Sequence, residues 1–279
     1  MTSADQVPFD DRGLAYGDGV FETVLLRDGK PVLWPYHRAR LRHGCSVLGI
    51  EPPDDTALNA CWQAPESALD VLKIILTRGS GGRGYALPEN PAPRLLSRRT
   101  PFAPAALRWQ GVDVCLCALR LARQPALAGI KHLNRLENVL ARREWQSEDI
   151  AEGLLADTEG NLVEATAMNI FWRAHGAFHT PSLEACGVAG TLRAALLARG
   201  DVCVSPLSVD ALLSDASVEQ LFVGNSIHGL WPVNTLTTPA GEPLRRFSSP
   251  PDLSLQTAAH RLLGYLPLSG PLLSGEKRS

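Results

Sequence analysis

Short apolar runs recur along most of this chain, broken at intervals by Gly, Pro and Asp. The segment VFETVLLRDGKPVLW (20–34) reads as a β-hairpin turning at Asp28-Gly29. From Tyr36 to Gly49 the period becomes helical, with Leu41, Cys45 and Leu48 on one face. VLKIILTR (71–78) is the continuous apolar run of a buried strand. Between Pro88 and Pro104 five prolines predict a surface loop with a short strand inside it, leading to a linker at about 100–111.

Past the linker, VDVCLCALRL (112–121) predicts a strand, and NRLENVLARREWQ (134–146) a helix with Leu136, Val139, Leu140 and Arg143 near one stripe. GLLADTEGNLVEATAMNIFWRAHGAFHT (153–180) has the pattern of a β-meander whose first turn is Glu159-Gly160. AGTLRAALLARG (189–200) predicts a short helix with Gly200 just past its end. QLFVGNS (220–226) predicts a strand ending in a polar turn, and DLSLQTAAHRLLGYL (252–266) a terminal helix. This order is neither all-β nor a regular βαβ series. It predicts two α+β lobes, a smaller one over residues 1–105 and a larger one over 112–279.

Composition narrows the function classes. A chain of 279 residues, 45% hydrophobic and 20% charged, buries a core without staples. Its net charge of −2 gives no global basic field for nucleic acid or an anionic membrane. No apolar run approaches the roughly 20 residues that span a bilayer, and MTSADQVPFDDRG lacks a charged-then-apolar leader. The six cysteines form no CxxC pair, so the expectation is buried, reduced thiols in a cytoplasmic protein, with no metal site. Only four of the 27 basic residues are lysines (Lys30, Lys73, Lys131, Lys277), which shortens the search for a catalytic amine.

Several segments carry candidate chemistry, each with a plainer reading beside it. RGSGGRGY (78–85) contains G-x-G-x-x-G, yet the following YALPENPAP cannot open the helix that a dinucleotide site requires. The segment is either a flexible glycine turn or a loop bringing Arg78 and Arg83 to an anionic substrate. In AGIKHLNRLEN (128–138), Lys131 follows an apolar run. It is either a solvated lysine or a desolvated one, whose lowered pKa supplies the neutral amine of Schiff-base chemistry. His132 has no ligand-spaced partner and reads as structural. Glu164 sits in a strand among apolar residues and needs a partner, either an arginine or a protonated pyridine nitrogen. Gly190 and Thr191 open a helix whose free amides either hold a phosphate or are simply capped. VGNS (223–226) is a loop or a second phosphate cradle. Arg40 lies among Arg38, Arg42 and His43, where a solvated basic face is the plain reading.

Taken in order, LAYGDGVFETV (14–24), HRARL (37–41), the Lys131 segment, LVEATAMNIFW (162–172), AGTLR and VGNS resemble the fold-type IV pyridoxal-phosphate enzymes, a class-IV aminotransferase-like family. RGSGGRGY and AGIKHLNRLENVLAR resemble its aminodeoxychorismate lyase branch in particular. The resemblance covers about residues 10–235. It implies two α/β lobes with pyridoxal 5'-phosphate between them, in a homodimer whose partner loops help close the site. It also implies cleavage of 4-amino-4-deoxychorismate to 4-aminobenzoate and pyruvate, a step of folate biosynthesis. The alternative is a branched-chain or D-amino-acid aminotransferase of the same fold. By the same resemblance Lys131 is the Schiff-base lysine and Glu164 pairs with the pyridine nitrogen. Arg40 binds the phosphate with the amides of Thr191 and Leu192, and Asn225 and Ser226 complete the cup. Arg78 and Arg83 are the candidates for the substrate carboxylates. Members of the family usually carry a strand before the segment matching DDRG. MTSADQVPF does not look like it, and the tail after about 245 is unplaced.

Overall fold

Asp28 and Gly29 both hold positive φ, 48° and 73°, the pairing a two-residue type I′ turn requires. They join β1 (Gly19–Arg27) to β2 (Lys30–Pro31), as the apolar pattern predicts. The structure is a computed structural model and describes residues 7–62, 67–247 and 251–265. Before β1 lies one short helix, α1 (Arg12–Tyr16), capped by the Asp11 carboxylate. After the hairpin come α2 (Trp34–Leu48) and α3 (Asp55–Ala60), then β3 (Leu69–Thr77) and β4 (Arg94–Pro101). These strands form an antiparallel sheet in the order β2-β1-β3-β4. The strand expected inside the proline-rich segment is longer than anticipated. It pairs with β3 from Arg94 to Pro101, so the linker begins after 101. As an edge strand it tolerates proline at its end.

A 3-10 turn at Ala106–Gln110 leads to β5 (Val112–Leu121) and then to α4 (Leu136–Arg142). The meander follows as β6 (Ile150–Asp157), β7 (Leu162–Ala165), β8 (Asn169–Ala174) and β9 (Ala177–Thr180). Next come α5 (Thr191–Ala198), β10 (Cys203–Val204), α6 (Val209–Ser214), β11 (Val218–Asn225), β12 (Gly229–Thr237), β13 (Pro243–Arg246) and α7 (Ser254–Leu263). Among the described residues the second sheet has nine strands, in the order β10-β9-β8-β11-β12-β5-β6-β7, with β13 beside β12. β5 runs parallel to both β12 and β6.

One hydrophobic cluster spans both sheets. Leu25 of β1 is fully buried with Leu154, Ile170, Phe171, Phe222 and Leu230, and Val71 of β3 packs against them. Burial of this apolar area is the main force holding the sheets face to face. The tail is placed as far as Tyr265, with Leu255, Ala259 and Leu263 of α7 in the same cluster; residues 266–279 lie outside the described residues. Cys45, Cys115, Cys117 and Cys186 are buried as expected, but Cys61 is half-buried and Cys203 exposed. The helix expected over 134–146 is shortened to α4. Its stripe faces outward, with Leu136, Val139 and Leu140 exposed by 75%, 55% and 49%, and Ala141 is its buried contact. No helix among the described residues is long and apolar enough to cross a membrane.

Candidate active site

Lys131 sits on a segment tied to β1 on one side and to the loop before α5 on the other. Its carbonyl accepts from Phe21 N at 2.9 Å, and Leu133 N donates to Gly19 O at 3.0 Å, fastening the segment to β1. Two residues earlier, Gly129 exchanges backbone hydrogen bonds with Gly187 and Ala189 (2.9 and 3.0 Å), fastening it to the loop before α5. Ile130 between them is fully buried, which fixes the direction of its neighbour. Lys131 Nζ lies 4.4 Å from the centre of the Phe21 ring. Burial, joined by the Arg40 and Arg135 charges, pulls the ammonium down to about 7; Glu22 and Glu164 offset only part of this. The amine is therefore substantially neutral near neutral pH.

A cavity of about 560 Å³ opens over this lysine, within the range of small-molecule sites. Glu164 projects into it from β7, itself 4% exposed. Its Oε2 accepts from Val188 N at 2.7 Å and its Oε1 from Asn138 Nδ2 at 3.3 Å. Burial raises its pKa, opposed by the Arg135 charge and these two hydrogen bonds. The loop behind it requires glycine. At Gly187 φ is +86°, and a Cβ there would stand 2.5 Å from Val163 and 3.4 Å from Glu164.

The opposite wall is built on α2. His37, Arg40, Leu41 and Gly44 share its inward face, while Arg38 and Arg42 turn out to an exposed Asp55. Arg40 therefore leaves the basic face that its neighbours form. Its Nε and Nη2 donate to Glu22 at 2.7 and 2.6 Å, and Nη1 donates to Ala189 O at 3.0 Å. Glu22, fully buried on β1, also accepts from His37 Nδ1 at 2.6 Å. Burial alone would raise the Glu22 pKa, but Arg40 and His37 outweigh it and hold the carboxyl at about 2. Burial depresses the His37 pKa, so the ring is neutral. With Nδ1 donating, Nε2 is left to accept from the Thr191 hydroxyl at 3.3 Å. The chain of contacts Arg40–Glu22–His37–Thr191 thus couples α2 to the start of α5.

At that start no side chain caps the amides, and Gly190, Thr191 and Asn169 line the cavity. The side chain of Leu192 is in the core, so only its backbone amide is available to the site. A Cβ at Gly190 would stand 1.8 Å from Asn169 Oδ1. Ser226 lines the same cavity and is 8% exposed. Asn225 lines it too, but its side chain is committed to its own turn. Oδ1 accepts from Ile227 N and His228 N (2.9 and 2.8 Å), and Nδ2 donates to Ala167 O at 3.1 Å. Asn225 shapes the turn that presents Ser226. Thr23, Val71, Thr100, Phe102 and His228 also line the cavity.

Arg78 and Arg83 are not among the residues lining the cavity. Arg78 is buried, and its guanidinium is bound to Asp18 (2.7 and 3.1 Å), Gly49 O (2.7 Å) and Leu48 O (2.5 Å). It ties the glycine loop to α2 rather than facing a substrate. Arg83 is exposed in that loop. The glycines at 79, 81, 82 and 84 all have positive φ, and the loop closes around Arg12, whose Nη1 donates to Gly84 O and Ala86 O at 3.1 Å each. Arg12, Glu22 and His37 carry no local signal in the sequence, because their partners come from elements distant along the chain. The backbone of His132 is bridged to Val20, and its ring Nδ1 is buried without a hydrogen-bond partner among the described residues.

The chain matches the amino-transferase class IV family over residues 19–236. It is 34% identical over 245 residues to an aminodeoxychorismate lyase from Vibrio harveyi, covering 84% of this chain and 88% of that one. A crystal structure of 4-amino-4-deoxychorismate lyase from Pseudomonas aeruginosa is 39% identical, with a TM-score of 0.79 over 94% of this chain and 95% of that one. At 21% identity a hypothetical aminotransferase from Mycobacterium tuberculosis, in its PLP-bound form, shares the fold, with a TM-score of 0.73 over 95% and 94%.

Proposed function

From the premise that the chain belongs to the class IV aminotransferase family, we propose that it is an aminodeoxychorismate lyase, converting 4-amino-4-deoxychorismate to 4-aminobenzoate and pyruvate with pyridoxal 5'-phosphate. The observation that carries this reading is the 39% identity to a 4-amino-4-deoxychorismate lyase across 94% of the chain.

The donor set fits the cofactor. A desolvated amine, a buried carboxylate, an arginine and the uncapped amides of α5 face one cavity. Lys131 would carry the cofactor's carbon and Glu164 would hold the proton of its pyridine nitrogen. Arg40, the Thr191 and Leu192 amides and Ser226 would hold its phosphate. When bound, the cofactor supplies the sink for electrons released as a carbon–hydrogen bond breaks. Lys131, as a free amine, would take the proton from the carbon bearing nitrogen. Its neutral fraction near pH 7 makes it competent as that base. As the bond between the ring carbon and the enolpyruvyl oxygen breaks and the ring becomes aromatic, Lys131 would return its proton to the departing enolpyruvate. Phe21 packs against the lysine, and the part of the wall formed by Phe102 and His228 would receive the remainder of the substrate.

The exposed apolar side chains Leu14, Tyr85, Leu136, Val139 and Leu140 support a homodimer. Within such a dimer Arg83, exposed in its loop, would be the candidate for a substrate carboxylate at the neighbouring site, and Arg78 holds the base of that loop. The buried thiols of Cys115 and Cys117 suit a reducing, cytoplasmic setting.

A lyase needs no acceptor, whereas an aminotransferase stalls after one half-reaction without a keto acid. Purified protein given 4-amino-4-deoxychorismate alone should release 4-aminobenzoate and pyruvate in equal amounts over many turnovers. Chorismate, lacking the amine, should be inert. Sustained amino transfer between amino acids and keto acids, with no pyruvate released from the amino substrate, would make the protein an aminotransferase.

A further inference from the structure

Arg135 stands immediately before α4, and its guanidinium folds back onto its own chain. Nε donates to the carbonyl of His132 at 3.0 Å and Nη2 to the carbonyl of Ile130 at 3.3 Å. Those two carbonyls are the ones on either side of Lys131. Nη1 has no hydrogen-bond partner among the described residues, and Arg135 lines the main cavity together with Lys131 and Glu164. It also lines a smaller cavity of about 220 Å³ with His132, Glu137 and Cys186, so it forms part of the wall between the two.

We propose that Arg135 is the positioning residue of the reactive lysine, clasping the peptide carbonyls that flank Lys131 and standing its charge in the same cavity as Lys131 and Glu164. The proposal rests on the reading of Lys131 as the cofactor lysine. A planar fork reaches two carbonyls at once with fixed geometry; a lysine offers a point charge on a flexible stem and cannot hold both. The clasp matters because the other ties of this segment hold Phe21, Leu133 and Gly129 to their neighbours but leave the Ile130 and His132 carbonyls free. The charge acts in a second way. The groups facing Lys131 are Glu22, His37, Arg40, His132, Arg135 and Glu164. Among these, Arg135 disfavours the ammonium form of Lys131 and favours the ionised form of Glu164. Both displacements produce the state that the chemistry uses, a neutral amine beside an ionised acid.

The test compares wild type, Arg135→Gln and Arg135→Lys. In protein stripped of cofactor, acetylation of Lys131 followed by mass spectrometry across pH gives its titration, and amide hydrogen exchange over residues 129–133 reports the clasp. Arg135→Gln should move the Lys131 titration up by about one unit and speed exchange about tenfold. Arg135→Lys, which keeps the charge and loses the fork, should leave the titration in place while exchange still rises. In the cofactor-loaded enzyme both variants should lose kcat more than they raise KM. If both fold with the Lys131 titration and the exchange unmoved, Arg135 is not a positioning residue. Should Arg135→Gln fail to fold, wild-type exchange in Arg135→Lys overturns the proposal in the same way. Borohydride labelling of a lysine other than Lys131 in the wild-type enzyme would remove the premise and overturn the proposal with it. Labelling at Lys131 with an unmoved titration and unmoved exchange would overturn the Arg135 assignment alone.

Discussion

Glu22 is the residue on which the proposed phosphate end of the site depends. It is fully buried, and it holds Arg40 through two hydrogen bonds and His37 through a third. Removing one partner of a buried ion pair leaves the other uncompensated, at about 3–5 kcal/mol. Glu22→Gln should therefore destabilise the protein by about 3 kcal/mol and weaken cofactor affinity about tenfold, read by fluorescence titration. The pH dependence has a definite sign. The folded pKa of about 2 lies below the ordinary 4.5, so the stability Glu22 contributes is complete above 4.5 and lost as pH falls towards 2. Urea midpoints measured through that window should fall steeply in wild type and less steeply in the variant. Equal slopes would mean that Glu22 is not ionised against Arg40. Arg78 is a residue of the opposite kind. Its Asp18, Leu48 and Gly49 contacts use its guanidinium within the first lobe. Arg78→Met should cost stability, again on the order of 3 kcal/mol, with any rise in KM accompanying that loss as the Arg83 loop loosens. A raised KM at full stability would make Arg78 a substrate ligand. The sequence places Arg78 correctly beside a glycine loop. Adjacency along the chain does not give the direction of a side chain, and Asp18 lies 60 residues away.

At the scale of elements, the legible parts are those whose cause is local. The Asp28-Gly29 turn, the apolar strand β3 and the glycine-opened helix α5 each follow from φ preference or periodicity. The Lys131 and Glu164 segments are also legible, because a charged residue inside an apolar run needs a reason to be there. The outward stripe of α4 is not. Its pattern shows that Leu136, Val139 and Leu140 share a stripe, but not that the stripe faces away from this chain's own core. The proposed phosphate cup is half legible. Thr191 stands at the helix start as expected, yet the Asn225 side chain is used by its own turn. The cup also depends on a close approach that only glycine allows. Gly190→Ala would place a methyl 1.8 Å from Asn169 Oδ1, forcing Asn169 away from Val188 O, which it now contacts at 2.9 Å. The start of α5 must shift in response. Cofactor affinity should fall about tenfold or more, with a Tm drop of a few degrees for each kcal/mol of strain. Unchanged affinity in that variant would separate α5 from the phosphate.

At the scale of the whole molecule, two sheets with separate hydrogen-bond ladders meet along one buried apolar cluster, and the 129–133 segment runs from the loop before α5 to β1. That course gives Lys131 walls from both lobes, with Arg40 and Phe21 on one side and Glu164 and the start of α5 on the other. The arrangement explains how one lysine becomes desolvated while an exposed one, Lys73, rests 5.0 Å from the same Phe21 ring. The most direct measurement is therefore on Lys131 itself. Protein loaded with pyridoxal phosphate is reduced with borohydride, digested and mapped by mass spectrometry. The expected result is a single pyridoxyl adduct on the peptide carrying Lys131, with loss of the visible absorbance on reduction. An adduct on Lys73 or Lys30, or no stable adduct in protein that binds the cofactor, would contradict the assignment of this cavity as the catalytic site.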